Sequence, residues 1–477
     1  MLRERAVGES LWESVLPAEL RELPPELRTV DEILDDDRFL APFRSRLTAR
    51  TGRPTIPIES FLRLMYLRHR YGLGYETLCK EVADSFTWRR FCRIALDGRV
   101  PDPSTLMKLS KRLGPGLLEE LNAELLSLAV ERKVLRSRRL RVDTTVVEAD
   151  IRSPTDSGLC AHAVSRLTGL AKRVKAAGLA PRTRVRDRRR SVGKRVRAIS
   201  AARVRGRQAL RTLDRLTAEI AERAKQTVRE ARALARNARR GARRKRVSVA
   251  VVERLEHELA AAEQILAQTD LRLAGQRTIP DRRVSLVDPD ARPIRMGSPA
   301  RPTEFGFKAR VADTAEGFVI VDVPVRGSPI DGGLLEEAIA KAKRTGMQVR
   351  SVYGDRGFGT SRADQALRAH QIRDKVIPRQ QRAAPVEHTR AWKRRYRFRN
   401  GLEGRISQLK RKGLRRTRLR SLAGVQTWVG GIALAHNLQR IALLTRPVPT
   451  ETPQSARGRG GTRSRPPLTR FSGGSSG

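Results

Sequence analysis

The chain has 477 residues, with 99 Lys plus Arg against 51 Asp plus Glu, a formal net charge of +48 and a sequence pI near 11.6. That length exceeds what one small core needs, so two or three domains are expected, and so large a cationic surplus finds its natural partners in polyanions, nucleic acid first. Other classes are disfavoured: no long apolar span marks a membrane protein, MLRERAVGES lacks the apolar run of a secretory signal, and Cys79, Cys92 and Cys160 show neither zinc-type spacing nor an even disulfide set, which fits a reducing compartment.

Residues 1–135 read as a helical, DNA-binding domain. In PIESFLRLMYLRHR (57–70) the residues Phe61, Leu62, Met65, Tyr66 and Leu67 lie near one helical stripe, Gly72-Leu73-Gly74 breaks it, and a second helix starts at Tyr75. Two helices around a tight glycine turn fit a helix-turn-helix or a plain bundle. Asp102-Pro103-Ser104 caps the start of a further helix, and Gly114-Pro115-Gly116 interrupts it before a longer one through Leu128.

From Arg138 the period changes. LRVDTTVVEADI is rich in Val and Thr and predicts a strand, as do GFKARVAD (306–313), GFVIVDVPV (317–325) and QVRSVYG (348–354). Helical patterns at 334–346, 362–370 and from about Tyr396 lie between and after them. The expected fold class is α/β (α+β), a mixed sheet with helices over residues 136–158 and 293–445.

Between the first strand and the next lies a block of another kind, residues 159–292. From Pro181 to Ala250 there are twenty-five Lys or Arg against five acids. Leu213, Leu216, Ile220, Ala224, Thr227, Ala231 and Leu234 keep a helical spacing, as do Leu255, Leu259, Ala262, Leu266 and Leu273 beyond a break at Arg240-Gly241. The prediction is an inserted antiparallel helical hairpin with a basic tip, suited to phosphate contact. Residues 446–477, rich in Pro, Gly, Ser, Thr and Arg, are expected to form a disordered basic tail.

In so basic a chain the informative residues are carboxylates placed where burial is costly. Asp143 interrupts a strand of Val, Leu and Thr; Asp355 directly follows QVRSVYG, at the strand end where α/β sheets hold ligands; Glu403 lies on the helix YRFRNGLEGRISQLKRK. Glu148, Asp150 and Asp156 are near the first acid but lack its mid-strand setting. Three converging carboxylates suit hard divalent ions, a pair of which, about 3.5–4 Å apart, can hold the attacking and leaving oxygens of a phosphodiester.

Starting at Tyr396 the sequence reads Tyr-x2-Arg399-x3-Glu403-x6-Lys410. It resembles at all four positions the signature of bacterial insertion-sequence DDE transposases. VDTTVVEADIRSPTDS (142–157), YGDRGFG, TEFGFKARVAD, ALAHNLQRI and the segment RPTIPIESFLRLMYLRHRYGLGYETL are also similar to segments of that class. The resemblance covers most of residues 50–441 and implies a catalytic domain with the ribonuclease H-like fold of retroviral-type integrases. It makes Asp143, Asp355 and Glu403 the catalytic, metal-binding acids, holding two Mg²⁺ ions for which Mn²⁺ can substitute. Arg399 and Lys410 are implied to hold DNA phosphates, with Tyr396 beside them on the same helical face. It further implies binding of terminal inverted repeats, DNA cleavage and strand transfer, double-stranded DNA partners (transposon ends and target), a homodimer on DNA, no membrane, and a place in the bacterial cytoplasm with the nucleoid. One departure stands out: related transposases carry their large insertion between the second and third acids, whereas here only 48 positions separate Asp355 from Glu403. A noncatalytic DNA-packaging protein would need the charge but not the acids, and a ribonuclease H-like nuclease would cut without strand transfer.

The charge alone makes a prediction. Log affinity for duplex DNA should fall steeply and linearly with log salt, with a slope magnitude of about 5 or more; a fluorescence-anisotropy titration over KCl concentration checks it, and a flat response contradicts the cationic-surface argument.

Overall fold

The computed structural model describes residues 2–5, 17–47, 54–201, 207–245, 249–295 and 302–445. The tail from 446 and residues 246–248 at the basic tip lie outside the described residues.

Apolar stripes at helical spacing build the first third: α1 (Pro25–Leu34), α2 (Ile58–Arg70), α3 (Tyr75–Asp84), α4 (Phe86–Phe91) and α5 (Pro103–Glu131). The Asp102 carboxylate accepts the Ser104 N–H at 2.8 Å and caps α5. Gly114, at φ 71°, breaks α5 internally, because Pro115 has no N–H to continue the ladder and only glycine takes that φ freely. α2 is buried from Ile58 to His69, and α3 exposes Glu76, Glu81 and Asp84 beside Lys80. Of the two readings of this pair, these faces favour the packed bundle, since α2 has no free side and the outer side of α3 would repel phosphates.

The sheet runs β2-β3-β1-β5-β6, with β4 also on β3: β1 (Arg139–Glu148), β2 (Arg292–Arg295), β3 (Thr303–Asp313), β4 (Val319–Asp322), β5 (Ser351–Gly354) and β6 (Asp374–Val376). β3 pairs antiparallel with β1, β2 and β4, whereas β1, β5 and β6 are mutually parallel. This is a mixed α/β sheet, consistent with the ribonuclease H-like class. Two strands are shorter than their sequence runs, β4 because Pro324 cannot extend a ladder and β5 because its pairing begins only at Ser351. β2 and β6 are too short to show a period.

The remaining helices are α6 (Asp156–Ala176), α7 (Arg189–Ala201), α8 (Arg207–Lys245) and α9 (Ala250–Leu273) in the insertion, then α10 (Leu335–Arg344), α11 (Ser361–Ala369), α12 (Arg390–Tyr396), α13 (Asn400–Leu409) and α14 (Leu422–Leu444). One apolar core runs from α1 and α2 through α5 to Leu140, Val142, Ile339, Val352 and Leu438, so the helical third and the sheet share an interior. α14 closes it. Its buried Asn437 accepts the Val319 N–H at 2.9 Å and donates to the Val319 carbonyl at 2.8 Å, completing the outer edge of β4.

The insertion has a second, separate core. α8 and α9 form the expected antiparallel pair, laced by Lys225–Asp270 at 3.0 Å, Arg232–Glu263 and Arg239–Glu256 at 2.5 Å, a ladder stepping seven residues on each helix. Two expectations need correction. α8 passes straight through Arg240-Gly241, because a lone glycine costs a helix only about 1 kcal/mol. The unit is also a four-helix bundle rather than a hairpin: α6 buries Leu159, Val164, Leu167 and Val174, and α7 buries Val192, against apolar stripes that two helices alone would leave wet. Among the described residues no helix is long and apolar enough to cross a membrane. Cys79, Cys92 and Cys160 are buried and unbridged.

Candidate active site

The parallel register of the central strands brings the first two acids together. Val142 lies opposite Gly354, so Asp143 and Asp355 are the next residues on adjacent strands running the same way. The Asp143 Oδ1 accepts the Thr144 N–H at 2.8 Å. Burial, followed by the charge of Asp355, pushes the Asp143 carboxyl up to about 6. Burial also raises Asp355, and the next largest cause is a carboxylate the sequence did not single out, Asp331. Asp355 Oδ1 is buried without a hydrogen-bond partner among the described residues.

Asp331 enters on the turn Asp331–Leu334, accepting from Thr144 Oγ1 at 3.0 Å and pairing with Lys308 Nζ at 2.7 Å. A Cβ on Gly357 would stand 2.8 Å from Asp331 Oδ2 and 3.1 Å from Asp355 Oδ1, so these two oxygens flank a point that only glycine leaves open. Asp331 carried no sequence signal, because an Asp in SPIDGG reads as ordinary turn chemistry. Lys308 was no easier to pick out, since β3 also carries Glu304, Arg310 and Asp313.

Glu403 joins this group through an intermediary. Arg399 donates from Nη2 to Asp143 Oδ2 at 2.9 Å and from Nη1 to Glu403 Oε1 at 2.7 Å. The Glu403 side chain is 63% exposed, against 13% for Asp143. Among the described residues no three His, Cys, Asp or Glu side chains are close enough to hold one ion. The structure therefore sets Asp143 beside Asp355 and leaves Glu403 on the far side of a guanidinium that neutralises both ends. Tyr396 stacks on Trp392 at 4.8 Å. Burial raises its hydroxyl pKa, with Arg399, Asp355 and Asp143 all near enough to act on it. Lys410 follows α13, half-buried and without a partner among the described residues. The segment is not one regular helix as expected: it tightens to 3₁₀ at Arg397–Arg399 and widens to a π turn at Lys410–Leu414.

The signature segment is seated by residues that sequence reading passed over. Arg141, two positions before Asp143, makes a bidentate pair with the buried Asp313 at 2.6 Å on both arms, donates to the Phe398 carbonyl at 3.1 Å, and lies 4.6 Å from the centre of the Phe398 ring. That contact fixes the residue immediately before Arg399. The neighbouring acids face elsewhere: Asp150 pairs with Arg416 at 2.7 Å, Asp156 with Arg282 at 2.9 Å, and Glu148 lies at the far end of β1.

Comparison with known proteins agrees with this architecture. Residues 17–112 match the family model described as a transposase domain (DUF772), and residues 360–442 match a transposase DDE domain, a span that includes Tyr396, Arg399, Glu403 and Lys410. The chain is also 33% identical over 149 residues to the uncharacterized protein ORF8 in the nfe locus of Rhizobium meliloti, covering 29% of this chain and 72% of that protein. No solved structure matches. The chain belongs to the insertion-sequence DDE transposases, enzymes that act on DNA and generally use divalent metal ions.

Two predictions follow from this geometry. The folded pKa of Asp143, about 6, lies above the ordinary carboxylate value, so the stability it allows is complete below about pH 4 and is lost as pH rises through 6, by roughly 2–3 kcal/mol. Asp143→Asn should therefore unfold at higher urea than wild type near pH 8, with the gap closing near pH 4; equal gaps at both pH values refute the assignment. An added Cβ at Gly401 would sit 2.0 Å from Arg141 Nη1, which Asp313 holds in place, whereas nothing lies within 4 Å of one at Gly404. Gly401→Ala should lower stability by about 1–3 kcal/mol, and Gly404→Ala should be neutral or stabilising by up to about 1 kcal/mol, as read by urea denaturation.

Proposed function

We propose that this transposase recognises the terminal inverted repeats of its own insertion sequence, cleaves the phosphodiester at each end, and joins the freed 3′ hydroxyl to target DNA, with Asp143, Asp355 and Glu403 holding two Mg²⁺ ions for which Mn²⁺ can substitute. The observation that carries this reading is that Asp143 and Asp355 each directly follow the last paired residues, Val142 and Gly354, of adjacent parallel strands, with Asp355 Oδ1 buried and without a hydrogen-bond partner among the described residues. An orphaned carboxylate oxygen beside a second buried carboxylate suits a hard cation, which all-oxygen donors prefer. When bound, such ions supply Lewis-acid stabilisation of the attacking and leaving oxygens.

The chain's own residues do the rest. Arg399 satisfies Asp143 and Glu403 in the resting enzyme. A DNA phosphate draws this guanidinium away, because a bidentate phosphate contact replaces both pairings. Glu403, on an exposed turn of α13, then turns toward Asp143 and completes the acidic set. Lys410, lacking a counter-charge among the described residues, takes a neighbouring phosphate, and Tyr396 packs against the strand being cut. No protein nucleophile forms a covalent intermediate. Because an element has two ends, two copies work together, one at each, on the nucleoid in the bacterial cytoplasm.

The test incubates purified protein with Mg²⁺ and DNA carrying the element's flanking repeats. Asp143→Asn, Asp355→Asn and Glu403→Gln should each slow cleavage by at least about a hundredfold, the scale of losing several kcal/mol of barrier lowering. Variants that cut and join like wild type overturn the site; cutting without joining indicates a nuclease; sequence-blind binding without cutting indicates a packaging protein.

A further inference from the structure

The ten residues after Lys410, RKGLRRTRLR (411–420), hold six cations and no acid. Their backbone is not a loose loop. The Glu148 N–H donates to the Arg415 carbonyl and the Thr417 N–H to the Glu148 carbonyl, both at 2.9 Å, which ties the segment to the end of the strand that carries Asp143. Thr417 is buried and Leu419 half-buried, while Arg415, Arg416, Arg418 and Arg420 are exposed. Arg416 pairs with Asp150; Arg415, Arg418 and Arg420 have no acidic partner among the described residues.

Opposite this row, across a cleft of about 440 Å³ whose lining includes Gly72, Gly413, Arg415, Arg418, Trp428 and the Asp150–Arg416 pair, stands the glycine turn between α2 and α3. Arg68 lies behind it, 2% exposed, with its guanidinium 4.0 Å from the centre of the Tyr75 ring and 5.2 Å from that of Trp428. Its one side-chain hydrogen-bond partner among the described residues is His69 at 3.0 Å, and its Nε has none. Arg418 is close enough to Arg68 to repel it, and its Nη1 lies 3.8 Å from where a Cβ on Gly74 would stand. A buried guanidinium without a carboxylate, facing a second cation, is costly unless an anion arrives. The nearby acids do not serve: Asp150 is engaged by Arg416, and Glu76 points outward from α3.

We propose that a backbone phosphate of duplex DNA seats in this cleft, its charge met directly by Arg415 and Arg418 and through space by the buried Arg68 behind the turn, so that the duplex runs from Lys410 along the arginine row onto the α2–α3 turn. The clustered cations, the two glycines in the lining and the backbone tied to β1 match what a phosphate contact requires. The proposal rests on the reading of the chain as an enzyme that grips DNA near its acids, and adds where the flanking duplex lies.

The experiment measures binding of a fluorescent duplex of about 30 base pairs in EDTA, where no cleavage occurs, across a KCl series. R415Q/R418Q should flatten the slope of log affinity against log salt by about 2 and weaken binding roughly tenfold or more at fixed salt, whereas R415K/R418K should keep the wild-type slope. R190Q/K194Q, on the exposed face of α7, removes the same charge away from the cleft and should change the slope by less. A slope change for R415Q/R418Q no larger than that for R190Q/K194Q, or none, overturns the proposal. Because the readout needs neither metal nor cutting, failure of the cleavage test above would leave this result standing on its own.

Discussion

The buried pair between Arg141 and Asp313 is the constraint on which the active region depends. It links β1 to β3 at the centre of the sheet, and the same guanidinium reaches the Phe398 carbonyl, so the strand bearing the first acid and the segment bearing the signature are held by one side chain. Breaking one partner of such a pair leaves an uncompensated buried charge, which costs several kcal/mol. Arg405 adds a second cation at 3.6 Å from Asp313, from within the signature helix itself. Gly401 is the steric counterpart: without a side chain there, α13 can lie against Arg141.

How much of this was legible depended on whether a residue broke a local pattern. Asp143 stood out because it is charged where Val and Thr alternate, and Asp355 because it ends a strand; the sheet register then made them neighbours, which no spacing in sequence could have said. The four-position motif located the Arg399 and Glu403 segment, but it could not reveal that Arg399 bridges two carboxylates, since that follows from three-dimensional charge balance. Asp331 was hidden by its setting, as turns are full of aspartates. Asp313 was hidden because its partner lies 172 residues away. In the insertion the basic charge drew the eye to α8 and α9, while α6, with its ordinary apolar stripe, escaped notice although it buries as much of that core.

The cations also divide into two populations. Along α8 three of them, Lys225, Arg232 and Arg239, are paired with acids of α9 in a ladder that braces the two helices. After Lys410, Arg415, Arg418 and Arg420 are left without acids among the described residues. Total charge is therefore a poor guide to where a polyanion would lie; the uncompensated subset marks the surface.

The chain leaves the sheet after β1 and returns at β2 in almost the same place: Glu148 and Arg292 both sit opposite Gly306, on either side of β3. On the return, Asp288 and Asp290 accept the backbone N–H groups of Ser421 and Leu422 at the start of α14. The bundle is thus joined to the sheet by two stalks that stand side by side, with its own interior and no strand of the sheet passing through it. Evolution could have lengthened, swapped or lost such an appendage without moving the acids, provided the short stretch that caps α14 was kept.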